Sequence, residues 1–374
     1  MGSDKPAFLI LGGCGFIGRN FVEFLIDNDV ASYIRVVDKL PPQVAWLNKQ
    51  HSLAFKDPRV EHVSANLMYF DSCEKAFANP PKAFDYILNC ACETRLGQSE
   101  AVYEEGIVRV SLNCAKLAAK IGAARFVELS SGCMASSEQT AHKESDPCKP
   151  WTDVAVYKLK VEEKLKSIEG LRYTIIRPGI VYGSGDKTGL TPRLVIGAVY
   201  QHLGESMRLL WDKDLRMNTI HVKDLCEAIW FLMKLKEAHG EVYNAVDDGN
   251  TTQGRVTDLI ASIFNISYDF CGKVMSTLTT VDKFNLMEEI NDKHLAPWAE
   301  ACAASGVTNT PLSSYIHKEL LYNKHLHLSN AKLTAAGFKC SVPEINKQVL
   351  IEVIYVLIFS ALLLFLVCAL SMYR

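Results

Sequence analysis

Ala7-Phe8-Leu9-Ile10-Leu11-Gly12-Gly13-Cys14-Gly15-Phe16-Ile17-Gly18 is the stretch that decides the fold class. Its first five residues are an apolar run of strand length, and residues 16–25 that follow the glycines carry helical periodicity. A strand that turns through glycines into a helix builds a site for a dinucleotide pyrophosphate. Gly12 permits the tight turn, Gly15 lets backbone approach the phosphates, and Gly18 allows the helix to lie close on the sheet. The helix start adds partial positive charge. The context supports the reading, because Asp38 closes a second expected strand at residues 35–37, twenty residues after Gly18. A carboxylate there accepts from a ribose 2′-hydroxyl and repels a 2′-phosphate, which favours NAD over NADP. Lys39 beside it softens that preference.

Working outward, further short apolar runs lie at residues 87–92, 126–129 and 174–176, with helical stretches between them such as residues 111–121. Strands alternating with helices predict an α/β fold with a parallel, doubly wound sheet. The expected organisation is a cofactor domain at residues 6–182 and a smaller substrate lobe at residues 183–345. Part of the chain returns from that lobe to the sheet. A chain of 374 residues that is 49% hydrophobic and 22% charged accommodates this. With 40 basic and 42 acidic side chains the formal charge is −2, so nothing in the balance points to nucleic acid. The 12 cysteines are scattered, as free thiols of a reducing compartment would be. Cys90 and Cys92, read as strand residues, would turn both thiols to one face, but no second pair accompanies them and no metal site is expected. His325 and His327 alternate in the same way and lack a visible third ligand.

The chain end differs in character. Residues 353–372 read VIYVLIFSALLLFLVCALSM, without a charge. A helix of that length covers about 30 Å, the depth of a bilayer core. The start of the chain has no apolar signal segment, and only two residues follow Met372. The expectation is a single transmembrane tail anchor at residues 349–372. The main domain would face the cytosol, with the endoplasmic reticulum as the expected membrane.

Together these residues resemble the extended short-chain dehydrogenase/reductases, the NAD-dependent epimerase/dehydratase family. The resemblance covers roughly residues 6–255 and implies a Rossmann fold. Gly12, Gly15 and Gly18, with Phe16 and Ile17, stand as that family's cofactor loop. Ser64-Ala65-Asn66-Leu67 looks like its adenine-contacting turn, with Asn66 where aspartate is usual. Asn89-Cys90-Ala91-Cys92 matches the segment flanking the cofactor, so Cys90 and Ala91 are implied contacts. Arg177-Pro178-Gly179 resembles the segment passing the nicotinamide, which implies a contact at Pro178. Leu129-Ser130-Ser131 stands where the family has its catalytic Ser or Thr, so that role falls to Ser131. The family also implies pairing of two copies through a four-helix interface.

The departures from the resemblance concern chemistry. The family uses Tyr-x-x-x-Lys, in which lysine lowers the tyrosine pKa and binds the ribose, and tyrosine is the general acid or base. Here the region reads Val156-Tyr157-Lys158-Leu159-Lys160-Val161-Glu162. Lys160 is three residues past Tyr157, about 60° round the helix one way where a fourth residue is about 40° round the other. Counting back from Arg177 gives Lys160 the lysine's place and Val156 the tyrosine's. Two readings stay open: Tyr157 and Lys160 still converge on the nicotinamide, or the acid/base pair has lapsed. Gly132-Cys133-Met134 also replaces the usual residues after the serine.

Nucleotide-sugar members carry Arg-Asp ahead of the segment matched here by Thr219-Ile220-His221-Val222, and this chain has Met217 and Asn218 in those places. Arg193 and Arg216 are nearby substitutes. Together with the apolar tail this directs the substrate expectation to a membrane lipid or sterol alcohol or ketone, with Trp151, Trp211 and Trp298 as pocket candidates. The rival expectation is a membrane-tethered NAD-binding sensor or scaffold without chemistry. A third gives the acid/base role to His221.

Overall fold

The computed structural model describes residues 5–279 and 283–359. The expected runs become the strands β1 (Ala7–Leu11), β2 (Tyr33–Asp38), β4 (Tyr86–Asn89), β5 (Arg125–Leu129) and β6 (Tyr173–Pro178), and a further strand, β3 (Val60–Ser64), follows β2 in the chain. Three short strands follow, β7 (Ile180–Tyr182), β8 (Met207–Leu209) and β9 (Thr219–His221), and then β10 (Val242–Ala245). Seven of these form one parallel sheet in the order β10-β6-β5-β4-β1-β2-β3. Leu11 lies opposite both Val37 and Asn89, so the carboxyl ends of β1, β2 and β4 finish level. The order reverses between β1 and β4, and a ligand crevice opens at that switch point.

Two differences from the sequence reading have simple causes. Strand β3 was not anticipated, because Val-Glu-His-Val-Ser alternates with polar residues. It is the sheet's edge, where that alternation faces solvent. Strand β4 stops at Asn89 rather than running to residue 92, since Asn89 Oδ1 accepts from the Ala91 amide at 3.2 Å and turns the chain. Cys90 therefore packs with the apolar cluster on one side of the sheet and Cys92 with the cluster on the other, not on one face.

Helices cover both faces. The Phe16–Asp27 and Val222–Lys234 helices place Phe21, Leu25, Leu225 and Ile229 on one side, all fully buried. The Phe70–Phe77, Val110–Lys120 and Asp153–Leu165 helices place Cys114, Leu117, Val161 and Leu165 on the other. Each fully buried side chain of leucine or phenylalanine size contributes about 1.5–3 kcal/mol. Between Tyr103 and Val110 the chain makes a π-helical turn at Glu104–Arg109, where Gly106 lies so close to Glu93 that an added Cβ would come within 2.9 Å of that residue's Cβ.

The lobe has its own core, with Leu194, Val199, Ile260 and Phe264 meeting Leu350, Val353 and Ile354. The last three belong to the Lys347–Phe359 helix. The first part of the expected membrane span is thus packed in the lobe, and residues 360–372 of that span lie outside the described residues. Among the described residues no helix is long and apolar enough to cross a membrane.

Candidate active site

The cofactor loop follows from local constraints at the β1–β4 crevice. Gly12 adopts φ +73°, and a Cβ there would meet the Ala91 backbone at 2.7 Å. A Cβ on Gly18 would meet Gly13 Cα at 2.6 Å, so the Phe16–Asp27 helix and the glycine turn touch directly. Gly15, exposed, caps that helix with no side-chain hydrogen bond and no acidic residue in the first turn. The helix start is left open to an anion. Asp38, at the end of β2, accepts from the Cys14 amide at 3.1 Å and from the Leu40 amide at 3.0 Å. Phe16 and Ile17 begin the helix half-buried.

The remaining cofactor candidates border the same edge. The Ala65 amide donates to the Asp38 carbonyl at 3.1 Å, which brings the Asn66 turn beside Asp38. Asn66 Oδ1 accepts from the Met68 amide at 3.1 Å, an arrangement that an aspartate would also make, and the Leu67 carbonyl accepts from Asn113. The Cys90 amide donates to the Leu11 carbonyl at 2.8 Å, which sets Cys90 and Ala91 against the glycine turn. Pro178 ends β6, and its carbonyl oxygen would be 2.5 Å from a Cβ on Gly132, next to Ser131. Ser131 Oγ accepts from the Cys133 amide at 3.1 Å.

Tyr157 and Lys160 are placed otherwise than the expected acid/base pair. Tyr157 turns into the helix layer, its ring 5.4 Å from that of Tyr103. Lys160 Nζ lies over the Tyr157 ring at 4.1 Å and pairs with Glu104 at 3.5 Å on the half-exposed side. The inward lysine is Lys158, 2% exposed, whose Nζ is 2.9 Å from Glu128 Oε1. Cys90 and Cys92 both act on its charge. Lys158 is thus the lysine that this helix turns inward, and a Tyr-x-x-x-Lys pattern counted from it would place Val154 where the tyrosine stands. Arg177 pairs at 2.6 Å with Glu162, which lies one turn after Lys158 on the same helix.

Glu128 is the centre of a buried polar network that sequence reasoning missed. It accepts from Asn89 Nδ2 at 2.6 Å, Ser111 Oγ at 3.0 Å and Lys158 Nζ at 2.9 Å, with no exposure of its own. Burial opposes the Lys158 charge, but Cys92, Glu128 and Cys90 favour it, and the balance moves its pKa upward. A signal existed: a glutamate inside the otherwise apolar run Phe-Val-Glu-Leu of a central strand requires a buried partner.

Several other candidates serve packing. The His221 ring lies 5.3 Å from that of Tyr182 and its Nδ1 caps the following helix by accepting from the Lys223 amide, with burial lowering its pKa. Trp298 is in the lobe core, and Trp211 donates to the Leu321 carbonyl at 3.1 Å. Trp151 Nε1 is buried and has no hydrogen-bond partner among the described residues. Arg193 is half-buried near Asp186, and burial lowers it to about 10. His325 Nδ1 accepts from the Arg216 amide at 3.1 Å, whereas His327 Nδ1 faces the Ser137 carbonyl. Among the described residues no group of three or more His, Cys, Asp or Glu could hold a metal ion.

The sequence profile of the NAD dependent epimerase/dehydratase family matches residues 8–245. No curated protein matches the chain significantly. Among solved structures, the chain is similar to the UDP-glucose 4-epimerase of Thermus thermophilus in complex with NAD. That match has 19% identity, covers 93% of this chain and 97% of that one, and has a TM-score of 0.64. It is also similar to a UDP-N-acetylglucosamine 4-epimerase from Methanobrevibacter ruminantium, bound to UDP-N-acetylmuramic acid (19% identity, 95% and 99% covered, TM-score 0.68). A third is the dTDP-glucose 4,6-dehydratase of Streptomyces venezuelae with NAD bound (18% identity, 94% and 96% covered, TM-score 0.67). At these identities the likeness establishes a shared fold.

Proposed function

Since the chain belongs to the NAD dependent epimerase/dehydratase family, whose members are NAD-dependent enzymes, we propose that it binds NAD at the β1–β4 crevice and acts on an alcohol or ketone. The observation that carries the cofactor assignment is the close approach of Gly12 to Ala91, which keeps side chains out of the crevice beside an uncapped helix start. Residues 12–18 would hold the pyrophosphate, and Asp38 would accept from the adenosine ribose hydroxyls. NAD, when bound, supplies hydride exchange at its nicotinamide. Ser131 would orient the substrate oxygen from the end of β5.

For the substrate, the solved relatives named above act on nucleotide sugars, whereas this chain lacks the arginine that would clamp a diphosphate. Met217 is buried, and Asn218 is committed to the Leu328 amide at 2.7 Å. With the uncharged C-terminal run, this supports an apolar alcohol or ketone, a membrane lipid or sterol, as the substrate class. The tail would hold the main domain on the cytosolic side of a membrane, with the endoplasmic reticulum as the proposed site.

A second reading has its own observation. Val154 stands in the tyrosine's place, and Glu128 holds Lys158, as expected of an NAD-binding module without turnover. The test is calorimetric titration of the full chain in detergent with NAD and NADP. NADH formation is then followed with sterol alcohols and with UDP-glucose. NAD binding with oxidation of a sterol supports the first reading. NAD binding with every substrate inert selects the second, and failure to bind either cofactor sinks both.

A further inference from the structure

Val154 cannot carry a proton, and the structure brings another group to the same end of the Asp153–Leu165 helix. Residues 314–321 cross from the lobe and are held from both sides. Asn291 clamps Ile316 with two hydrogen bonds of 2.9 and 2.7 Å, and the Leu321 carbonyl accepts from Trp211. His317 lies against the loop after β4, where a Cβ on Gly97 would come within 2.6 Å of its Nε2. Glu319, between these fixed points, is 3% exposed. Neither of its carboxyl oxygens has a hydrogen-bond partner of normal geometry among the described residues.

Its neighbours lie at the helix start that carries Val154. Glu319 lies beside the Asp153 amide and carboxyl, one residue from Val154, and its charge acts on Cys133 and Tyr103. The Cys133 thiol in turn meets the hydroxyls of Ser131 and Thr152. A buried carboxyl facing a second carboxyl stabilises a shared proton rather than two charges, and here the Asp153 amide works the other way.

We propose that Glu319 is the proton-transfer group of this site, supplied by the lobe in place of the tyrosine. The proposal rests on the NAD-binding enzyme reading. In oxidation, the substrate O–H bond breaks and its proton passes to the Glu319 carboxylate. The O–H electron pair would become the second bond of the carbonyl, and NAD, if held by residues 12–18 and Asp38, would supply the acceptor for the hydride given up by the same carbon. Reduction runs the same transfers backwards. Burial first, then Asp153, raise Glu319 to about 7, with Lys318 opposing and His317 adjacent on the same segment. An acid in that range suits transfer in both directions at neutral pH.

The simpler role, a carboxylate that only caps the helix, makes a different prediction. The nicotinamide ring is cationic when oxidised and neutral when reduced. A proton on a carboxyl facing it is released by NAD and retained with NADH. Calorimetry at pH 7 in two buffers of different ionisation heat reads that release. The wild-type chain should release a few tenths of a proton more with NAD than with NADH. Glu319→Gln should bind NAD within about threefold of wild type and lose the difference. Asp153→Asn should move the release to lower pH. In the sterol assay Glu319→Gln should lower kcat by about 100-fold or more, with Glu319→Asp restoring part of it. Equal release with both cofactor forms, or a difference that survives in Glu319→Gln, overturns the proposal. Absence of NAD binding sinks the cofactor reading, and this proposal with it; binding without linkage sinks Glu319 alone.

Discussion

Replacing Glu128 by leucine should be among the most damaging single changes available to the sheet. The carboxylate is wholly buried in β5 and receives three donors, of which Lys158 Nζ is the charged one at 2.9 Å. Glu128→Leu leaves that ammonium in an apolar layer without a counter-charge, a loss of about 3–5 kcal/mol. Asn89 Nδ2 retains Ser111 Oγ at 3.1 Å, so the orphaned neutral donors add only about 1 kcal/mol. The expected total is about 4–6 kcal/mol, a large share of the stability of an ordinary domain. The double variant Glu128→Leu/Lys158→Met should cost less than the two single changes summed, and should recover most of the Glu128→Leu loss. The assay is urea unfolding at neutral pH on all three variants, analysed as a double-mutant cycle. A Glu128→Leu cost under about 1 kcal/mol would show that Lys158 finds water or another partner. A double variant no more stable than the single one would refute the network.

Three further outcomes follow from the same structure. Gly12→Ala, at φ +73° with its Cβ on the Ala91 backbone, should lose about 1–3 kcal/mol and weaken NAD binding by about tenfold or more, read by thermal unfolding and calorimetry. Tyr157→Phe should leave turnover within about twofold, because its ring packs on Tyr103 rather than facing Ser131; a loss of about 100-fold would restore the tyrosine to the mechanism. Asp247, 4% exposed, is raised to about 7 by burial, against hydrogen bonds from Thr219 and Gly249. Its folded pKa exceeds its unfolded one, so its contribution is complete below about pH 4 and is lost as pH climbs to about 7, up to about 4 kcal/mol. Asp247→Asn should flatten that fall in urea unfolding between pH 4 and 7.

The cofactor end of this molecule was legible because its constraints are local. A glycine turn, the helix after it and an acid at the end of β2 are set by neighbours in sequence, and residues 12–18 with Asp38 meet at the crevice as spacing suggested. The chemistry was not, because it depends on side-chain direction across the sheet. Whether Lys158 or Lys160 points inward differs by two positions on one helix, and Glu128 on a distant strand and Arg177 against Glu162 decide it. Glu319 had no sequence signal at all, since nothing in residues 314–321 states which helix they will cross. Asn89 shortened β4 through a side-chain bond to Ala91, a competition that apolar runs do not register.

The Lys347–Phe359 helix has a consequence for any tether at this end of the chain. Leu350, Val353 and Ile354 are part of the lobe's interior, so the described part of this helix belongs to the folded body rather than to a separate tail. Cutting the chain at residue 347 to obtain a soluble form would remove three core side chains along with the tail. A cut after residue 359 would spare them.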